Sequence, residues 1–298
     1  MKTGFIGIVG RPNVGKSTLL NCVTGEKVAI TTDKPQTTRN RIRGILTVPG
    51  DNTDDGFQMI FIDTPGIHKP KNKLGSYMTE TALATLNEVD AAVFVVDGGL
   101  SQGKGDQFIL DVLAKTDTPK IALINKIDIM PPETFKAVFN EYTQTGIFNE
   151  IMGISAKDGT NVAQLIKMLE SMLSEGHMFY PADMFTDHPE RFIVSEIIRE
   201  KLLLYLDEEI PHGVAVEIES YDETPRLTRI GAVIICEKKS HKGIIIGKDG
   251  RKLKGVGRSA RLEIENLLGM KVFLQLWVKV KENWRNSDFA LNNLGYKL

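Results

Sequence analysis

The run Gly4-Phe5-Ile6-Gly7-Ile8-Val9 leads directly into Gly10-Arg11-Pro12-Asn13-Val14-Gly15-Lys16-Ser17, and Thr18-Leu19-Leu20-Asn21 follows with helical character. The octet has the form G-x-x-x-x-G-K-[ST], which cradles phosphate only when a strand enters the loop and a helix leaves it. Glycines let successive backbone N–H groups turn inward, the helix presents its positive end, and a lysine reaches the outer phosphate oxygens. Gly10, Asn13, Val14, Gly15, Lys16, Ser17 and Thr18 are therefore the candidate phosphate ligands, and the Ser17 hydroxyl is a candidate magnesium ligand.

The residues after this loop continue the same architecture. Apolar β-rich runs at Phe5–Val9, Gln58–Ile62, Ala91–Val96, Lys120–Ile124 and Ile151–Ile154 alternate with helical stretches at 16–23, 77–88, 104–114, 133–142 and 161–173. That alternation predicts an α/β domain over residues 1–175, a mostly parallel sheet with helices on both faces. Residues 176–189 contain glycine, two prolines and no usable period, and read as a linker. From 190 to 298 the pattern changes. A helix over 191–206 precedes three period-two runs, built on Val214/Val216/Ile218, Ile230/Ala232/Ile234/Cys236 and Val272/Leu274/Leu276/Val278/Val280. The stripe Leu253, Val256, Ala260, Ile264 and Leu267 is helical, so the order helix, strand, strand, helix, helix, strand defines a smaller α+β domain. Phe273 and Trp277 share one face of the last strand, and the expectation is that they cover the sheet against the first helix.

Bulk properties narrow the setting. A chain of 298 residues with 42% hydrophobic content has enough material for a core in each domain. Its two cysteines, Cys22 and Cys236, lack metal-ligand spacing and suit a reducing cytosol. No apolar run approaches the roughly 18 residues that span a bilayer. The expected location is cytoplasmic, with peripheral contact on the inner face of the cell membrane left open.

Three further motifs fall at strand ends, where an open α/β sheet binds its ligand. Asp63-Thr64-Pro65-Gly66 offers a carboxylate for magnesium and a Gly66 N–H for a γ-phosphate. Asn125-Lys126-Ile127-Asp128 offers a carboxylate that can accept two N–H donors from guanine, a pair adenine lacks. Ser155-Ala156-Lys157 supplies a backbone N–H for guanine O6. The set resembles the translation-factor-related GTPases. That resemblance implies GTP as substrate, GDP as product and Mg2+ as cofactor, with Lys16, Ser17, Asp63 and Gly66 on phosphate and metal. It further implies that Asn125 and Asp128 hold guanine while Lys126 packs on the base. By similarity to the Q-T-T-R pattern the switch I threonine lies in Thr37-Thr38, with Thr38 favoured for magnesium, a choice the sequence alone leaves open. Where many small GTPases carry a water-orienting glutamine after the switch II glycine, this chain has Ile67. In relatives with the P-N-x-G-K-S loop the asparagine seats a potassium ion, and by that similarity Asn13 is the K+ candidate; the alternative is an amide that braces the loop.

A near-neutral chain, net charge −1, places nine basic residues and one acidic residue between 238 and 261. Inside that run Gly247-Lys248-Asp249-Gly250 opens the helix that begins at Arg251. A G-x-x-G turn between helices brings backbone close to sugar and phosphate, and basic side chains add salt-sensitive attraction. Gly247, Lys248, Asp249, Gly250, Arg251, Lys252, Lys254 and Arg258 are the RNA-binding candidates. The element order resembles a type II KH domain. Together the two halves resemble the KH-domain GTPases of bacterial ribosome assembly. The resemblance implies binding near the 3′ end of small-subunit rRNA and a role in 30S assembly and maturation. The competing class is a signalling or membrane-associated GTPase whose second domain binds protein or lipid.

Overall fold

The structure is a computed structural model that describes residues 1–50, 56–98, 104–207 and 210–297. Its packing separates two units: Met1–Ala29, Thr38–Lys71 and Gly75–Asp187 form the first, and Ile30–Thr37, Asn72–Leu74 and His188–Leu298 form the second.

The first unit runs β1 (Lys2–Gly10), α1 (Lys16–Thr24), β2 (Ile42–Pro49), β3 (Gly56–Asp63), α2 (Lys73–Thr85), β4 (Ala91–Val96), α3 (Lys104–Leu113), β5 (Lys120–Ile124), α4 (Pro132–Gln144), β6 (Glu150–Gly153), α5 (Val162–Met172) and β7 (Ser174–Glu175). The sheet order is β2-β3-β1-β4-β5-β6, with β7 beside β1. β1 pairs in parallel with β3 and β4, and β4, β5 and β6 continue in parallel, whereas β2 lies antiparallel to β3. A parallel sheet covered on both faces needs strands that are apolar throughout, and every residue of β4 (AAVFVV) is buried. The edge strand β2, with buried, half-buried and exposed residues mixed, lacks that signature and has no counterpart among the strands expected from sequence. Residues 176–187 carry no helix or strand and lie along this unit: Gln58 Oε1 accepts the Phe179 and Tyr180 N–H groups, and Thr186 Oγ1 donates to the Arg43 carbonyl at 2.7 Å.

The second unit contains α6 (Glu190–Tyr205), β8 (Ala215–Thr224), β9 (Leu227–Cys236), α7 (Lys239–Ile246), α8 (Arg251–Leu268), β10 (Val272–Val280) and α9 (Asp288–Asn293). Its sheet order is β10-β9-β8, with β8 antiparallel and β10 parallel to β9. Ile230, Ala232 and Ile234 of β9 pack with Ile197, Ile198 and Leu202 of α6 and with Val256, Ala260 and Ile264 of α8. Both long helices use that face. Phe273 and Trp277, on the opposite face, are 47% and 45% exposed, so the expectation that they pack under the first helix is corrected. Period two shows that the aromatics share a face, but not which face the helices cover. Among the described residues of this unit the fully buried aromatic is instead Trp284, whose Nε1–H donates to the Gly213 carbonyl at 3.0 Å.

Candidate functional site

The C-terminal ends of β1, β3, β5 and β6 bring the nucleotide motifs together at one edge of the first unit's sheet. Between β1 and α1 the loop is held by two close approaches. Gly15 has φ 101°, and a Cβ there would lie 2.2 Å from Asn125 Nδ2. A Cβ on Gly66 would lie 2.7 Å from Pro12. The Ile67 N–H donates to the Gly10 carbonyl at 3.2 Å, and Thr64 Oγ1 donates to the Ile8 carbonyl at 2.8 Å, which ties the Asp63–Gly66 turn to the phosphate loop. The Ile67 side chain points into the apolar cluster with Val9, Ala82 and Leu86, so it presents no polar group to the loop.

Lys16 Nζ donates to the carbonyls of Gly10 (3.2 Å) and Arg11 (2.8 Å). Burial pushes its pKa down to about 8, against the pull of Asp63. Burial likewise pushes the Asp63 carboxyl up to about 6, opposed by Lys16 and by hydrogen bonds from Ser17 and Thr38. Ser17 Oγ donates to Asp63 Oδ2 at 2.5 Å and lies 2.8 Å from Thr38 Oγ1, itself 3.3 Å from the same carboxylate oxygen. Asp63 Oδ1 is buried without a hydrogen-bond partner. Two hydroxyls and a buried carboxylate with one uncommitted oxygen form a hard-oxygen donor set that fits a divalent cation such as magnesium. Thr37 faces elsewhere. Its Oγ1 donates to the Lys34 carbonyl at 2.6 Å and lies 2.6 Å from Thr32 Oγ1.

On the base side, Asn125 is buried and both ends of its amide are engaged: Nδ2 donates to the Val14 carbonyl at 2.8 Å and Oδ1 accepts the Ala156 N–H at 2.9 Å. Asn125 thereby ties the phosphate loop to the Ser155-Ala156-Lys157 loop. Lys126, at φ 66°, donates from Nζ to the Asn13 carbonyl at 2.8 Å and to Asp97 Oδ2 at 2.9 Å. Asp128 and Lys157 are exposed, and Ser155 and Ala156 are buried. A cavity of about 290 Å³ is lined by Asp97, Lys126, Ile129 and Pro131. Asp97 was missed in the sequence. Its signal is position, one residue past β4 at the same sheet edge, where it also lies 3.7 Å from Arg11.

In the second unit Lys248–Gly250 forms a single 3₁₀ turn between α7 and α8, with Gly247 at φ 72° and Asp249 at φ 54°. A Cβ on Gly247 would meet Lys252 Cβ at 2.7 Å, so only glycine lets the chain fold back on the helix here. Lys248, Asp249, Arg251, Lys254 and Arg258 are exposed, and Lys252 is half-buried. The Arg251–Asp249 pair at 3.5 Å is too exposed to fix either side chain. Beside the turn lies a groove of about 400 Å³, floored by Leu253, Leu274 and Leu276 and rimmed by Lys254, Arg258 and Arg261.

A phosphate loop, a purine-binding edge and a basic G-x-x-G module define a P-loop GTPase joined to a KH domain. The family described as "50S ribosome-binding GTPase" matches residues 5–126, and the KH domain family matches residues 209–285. The chain is 57% identical over 297 residues to GTPase Era of Alkaliphilus oremlandii, covering 99% of each, and 53% identical to GTPase Era of Clostridioides difficile, covering 99% of this chain and 98% of that one. It belongs to the Era family of GTPases. A crystal structure of an Aquifex aeolicus Era variant bound to GDP·AlF4− superposes with TM-score 0.95 at 40% identity, each chain fully covered. A structure of Era with MgGDPNP and nucleotides 1506–1542 of 16S ribosomal RNA gives TM-score 0.95 at 39% identity, again with full coverage of both.

Proposed function

We propose that this GTPase works with Mg2+, binds single-stranded RNA near the 3′ end of small-subunit rRNA through its KH groove, and assists 30S assembly and maturation. The observation that carries the reading is the basic-rimmed apolar groove beside a glycine-built turn, on the same chain as a guanine-type phosphate site. Bases need the apolar floor and phosphates the lysines and arginines. The Era complex with 16S rRNA supports the assignment.

At the nucleotide, Lys16 exchanges its two loop carbonyls for phosphate oxygens, and the N–H groups of Asn13 to Thr18 surround the phosphates. Ser17, Thr38 and Asp63 are the residues that hold magnesium, which when bound neutralises charge on the β- and γ-phosphates. Asp128 accepts from the guanine edge, Lys126 lies along the base, and the Ser155–Lys157 loop is held in place by Asn125. With Ile67 turned into the core, attack by water depends on positioning and electrostatics rather than on a side-chain amide. Asn13, exposed in the loop, is the residue proposed to seat potassium there.

The test is binding of a 3′-terminal small-subunit rRNA oligonucleotide by the wild type and Gly247→Asp. The variant should lose at least tenfold in RNA affinity, because phosphate contacts carry most of the binding, while GDP affinity stays unchanged. Equal RNA affinity would remove the reading, and binding to anionic vesicles in its place would favour the membrane-associated alternative.

A further inference from the structure

Helix α6 carries two adjacent charged residues in its buried stretch, Arg199 at 1% and Glu200 at 2% exposure. Buried charges cost several kcal/mol unless they find partners of good geometry. Arg199 Nε donates to Glu196 Oε1 at 2.7 Å, and its Nη2 donates to Glu196 Oε2 and to the main-chain carbonyl of Thr37. Glu200 Oε1 accepts the Thr31 N–H at 3.0 Å, and its other oxygen accepts Lys201 Nζ at 2.8 Å. Ile30 joins the same apolar cluster as Ile197, Ile198 and Leu202. Residues 30–37 form no helix or strand, so their main-chain groups depend on such side chains. This segment is thus part of the KH-containing unit and is pinned at both ends, by Ile30 and the Thr31 N–H at one and by the Thr37 carbonyl at the other.

The Thr37 carbonyl belongs to the peptide that joins Thr37 to Thr38, the residue whose hydroxyl lies 2.8 Å from Ser17 Oγ and 3.3 Å from Asp63 Oδ2. Rotation of that peptide moves the Thr37 carbonyl and turns Thr38 away from the cation site together. We propose that Arg199 is a positioning residue for the GTP state: by holding this carbonyl it keeps Thr38 oriented toward the metal, and it makes the preference for GTP over GDP depend on a helix of the KH unit. The inference rests on Thr38 being the switch I metal ligand. A purely structural Arg199–Glu196 pair would steady α6 and leave nucleotide preference alone.

The readout is the ratio of affinities for MgGDPNP and MgGDP in the full-length protein, since partial unfolding removes sites for both and leaves the ratio unchanged. Arg199→Ala should lower the ratio about tenfold, the effect of one charged hydrogen bond. Arg199→Lys, a cation without the fork that spans Glu196 and Thr37, should recover part of the loss. In excess EDTA the wild type and Arg199→Ala should bind GDPNP alike, because the effect passes through the metal. Thr38→Ala is the reference. If it lowers the ratio and Arg199→Ala does not, the positioning role is overturned while the ligand assignment stands. If neither lowers the ratio, both are overturned. A loss of GDPNP binding by Arg199→Ala that persists in EDTA also overturns the proposal.

Discussion

Asn125→Ala separates a brace from a base contact. In the structure the Asn125 amide donates to the Val14 carbonyl at 2.8 Å and accepts the Ala156 N–H at 2.9 Å, and both of those residues are buried. Removing the amide leaves a buried acceptor and a buried donor without partners, each at about 1–3 kcal/mol. Water entering the space beside Gly15 would offset part, so a net loss of about 2–4 kcal/mol is expected, or roughly 30- to 1,000-fold. Two measurements read it. GDP affinity should fall by up to that factor, to the extent that the nucleotide must itself bring together a phosphate loop and an Ala156 loop that have lost their tie. The ratio of GDP to inosine diphosphate affinity should not change, because that ratio reports the guanine 2-amino group, and Asn125 spends its amide on protein. In nucleotide-free protein the same bonds should appear as a drop of about 5–15 °C in the melting temperature of the first unit. A collapse of the GDP-to-inosine ratio with stability intact would refute the brace and return Asn125 to the base edge.

The remaining predictions use the same logic. Asp128→Asn should bring the GDP-to-inosine ratio toward unity, with a loss of about 1.5–3 kcal/mol for GDP from the missing charged acceptor, and should improve binding of xanthosine diphosphate; an unchanged ratio would exclude Asp128 from the base. Hydrolysis by the wild type should run faster in potassium than in sodium, and Asn13→Ala should abolish the difference; equal wild-type rates would remove the potassium site. For RNA, Lys254→Gln and Arg258→Gln should each reduce the slope of log affinity against log salt by about 0.7 without altering GDP binding, and an unchanged slope would take that side chain off the phosphate backbone.

Much of this architecture was legible in sequence because several signals coincide. The loop from Gly10 to Ser17 fixes a strand before it and a helix after it, and the solidly apolar β4 could only be a covered strand. The helical stripe Val256, Ala260 and Ile264 emerges as the buried face of α8. What escaped the sequence shares a physical cause: it depends on which surface another element covers. The two faces of β10 both carry large apolar residues, and only the placement of α6 and α8 leaves Trp277 on the open one. The edge strand β2 owes its existence to pairing with β3 rather than to its own pattern. Asp97 and Arg199 are ordinary charged residues in sequence, given roles by partners at Lys126 and Thr37 respectively.

The placement of Ile67 bears on how such a site is controlled. A GTPase with a water-orienting side chain carries that part of its catalytic geometry within the switch itself, whereas here the equivalent position is spent on packing against Val9 and Leu86. In the mechanism proposed above, rate then depends on how well the remaining groups are held: Lys16, the Ser17–Thr38–Asp63 cluster and the peptide before Thr38. Of these, the Thr37–Thr38 peptide is fixed by a residue outside the phosphate loop, the Arg199 guanidinium. By reciprocity, whatever the triphosphate gains from an ordered Thr38 is available to hold the Thr37 carbonyl on the Arg199 guanidinium.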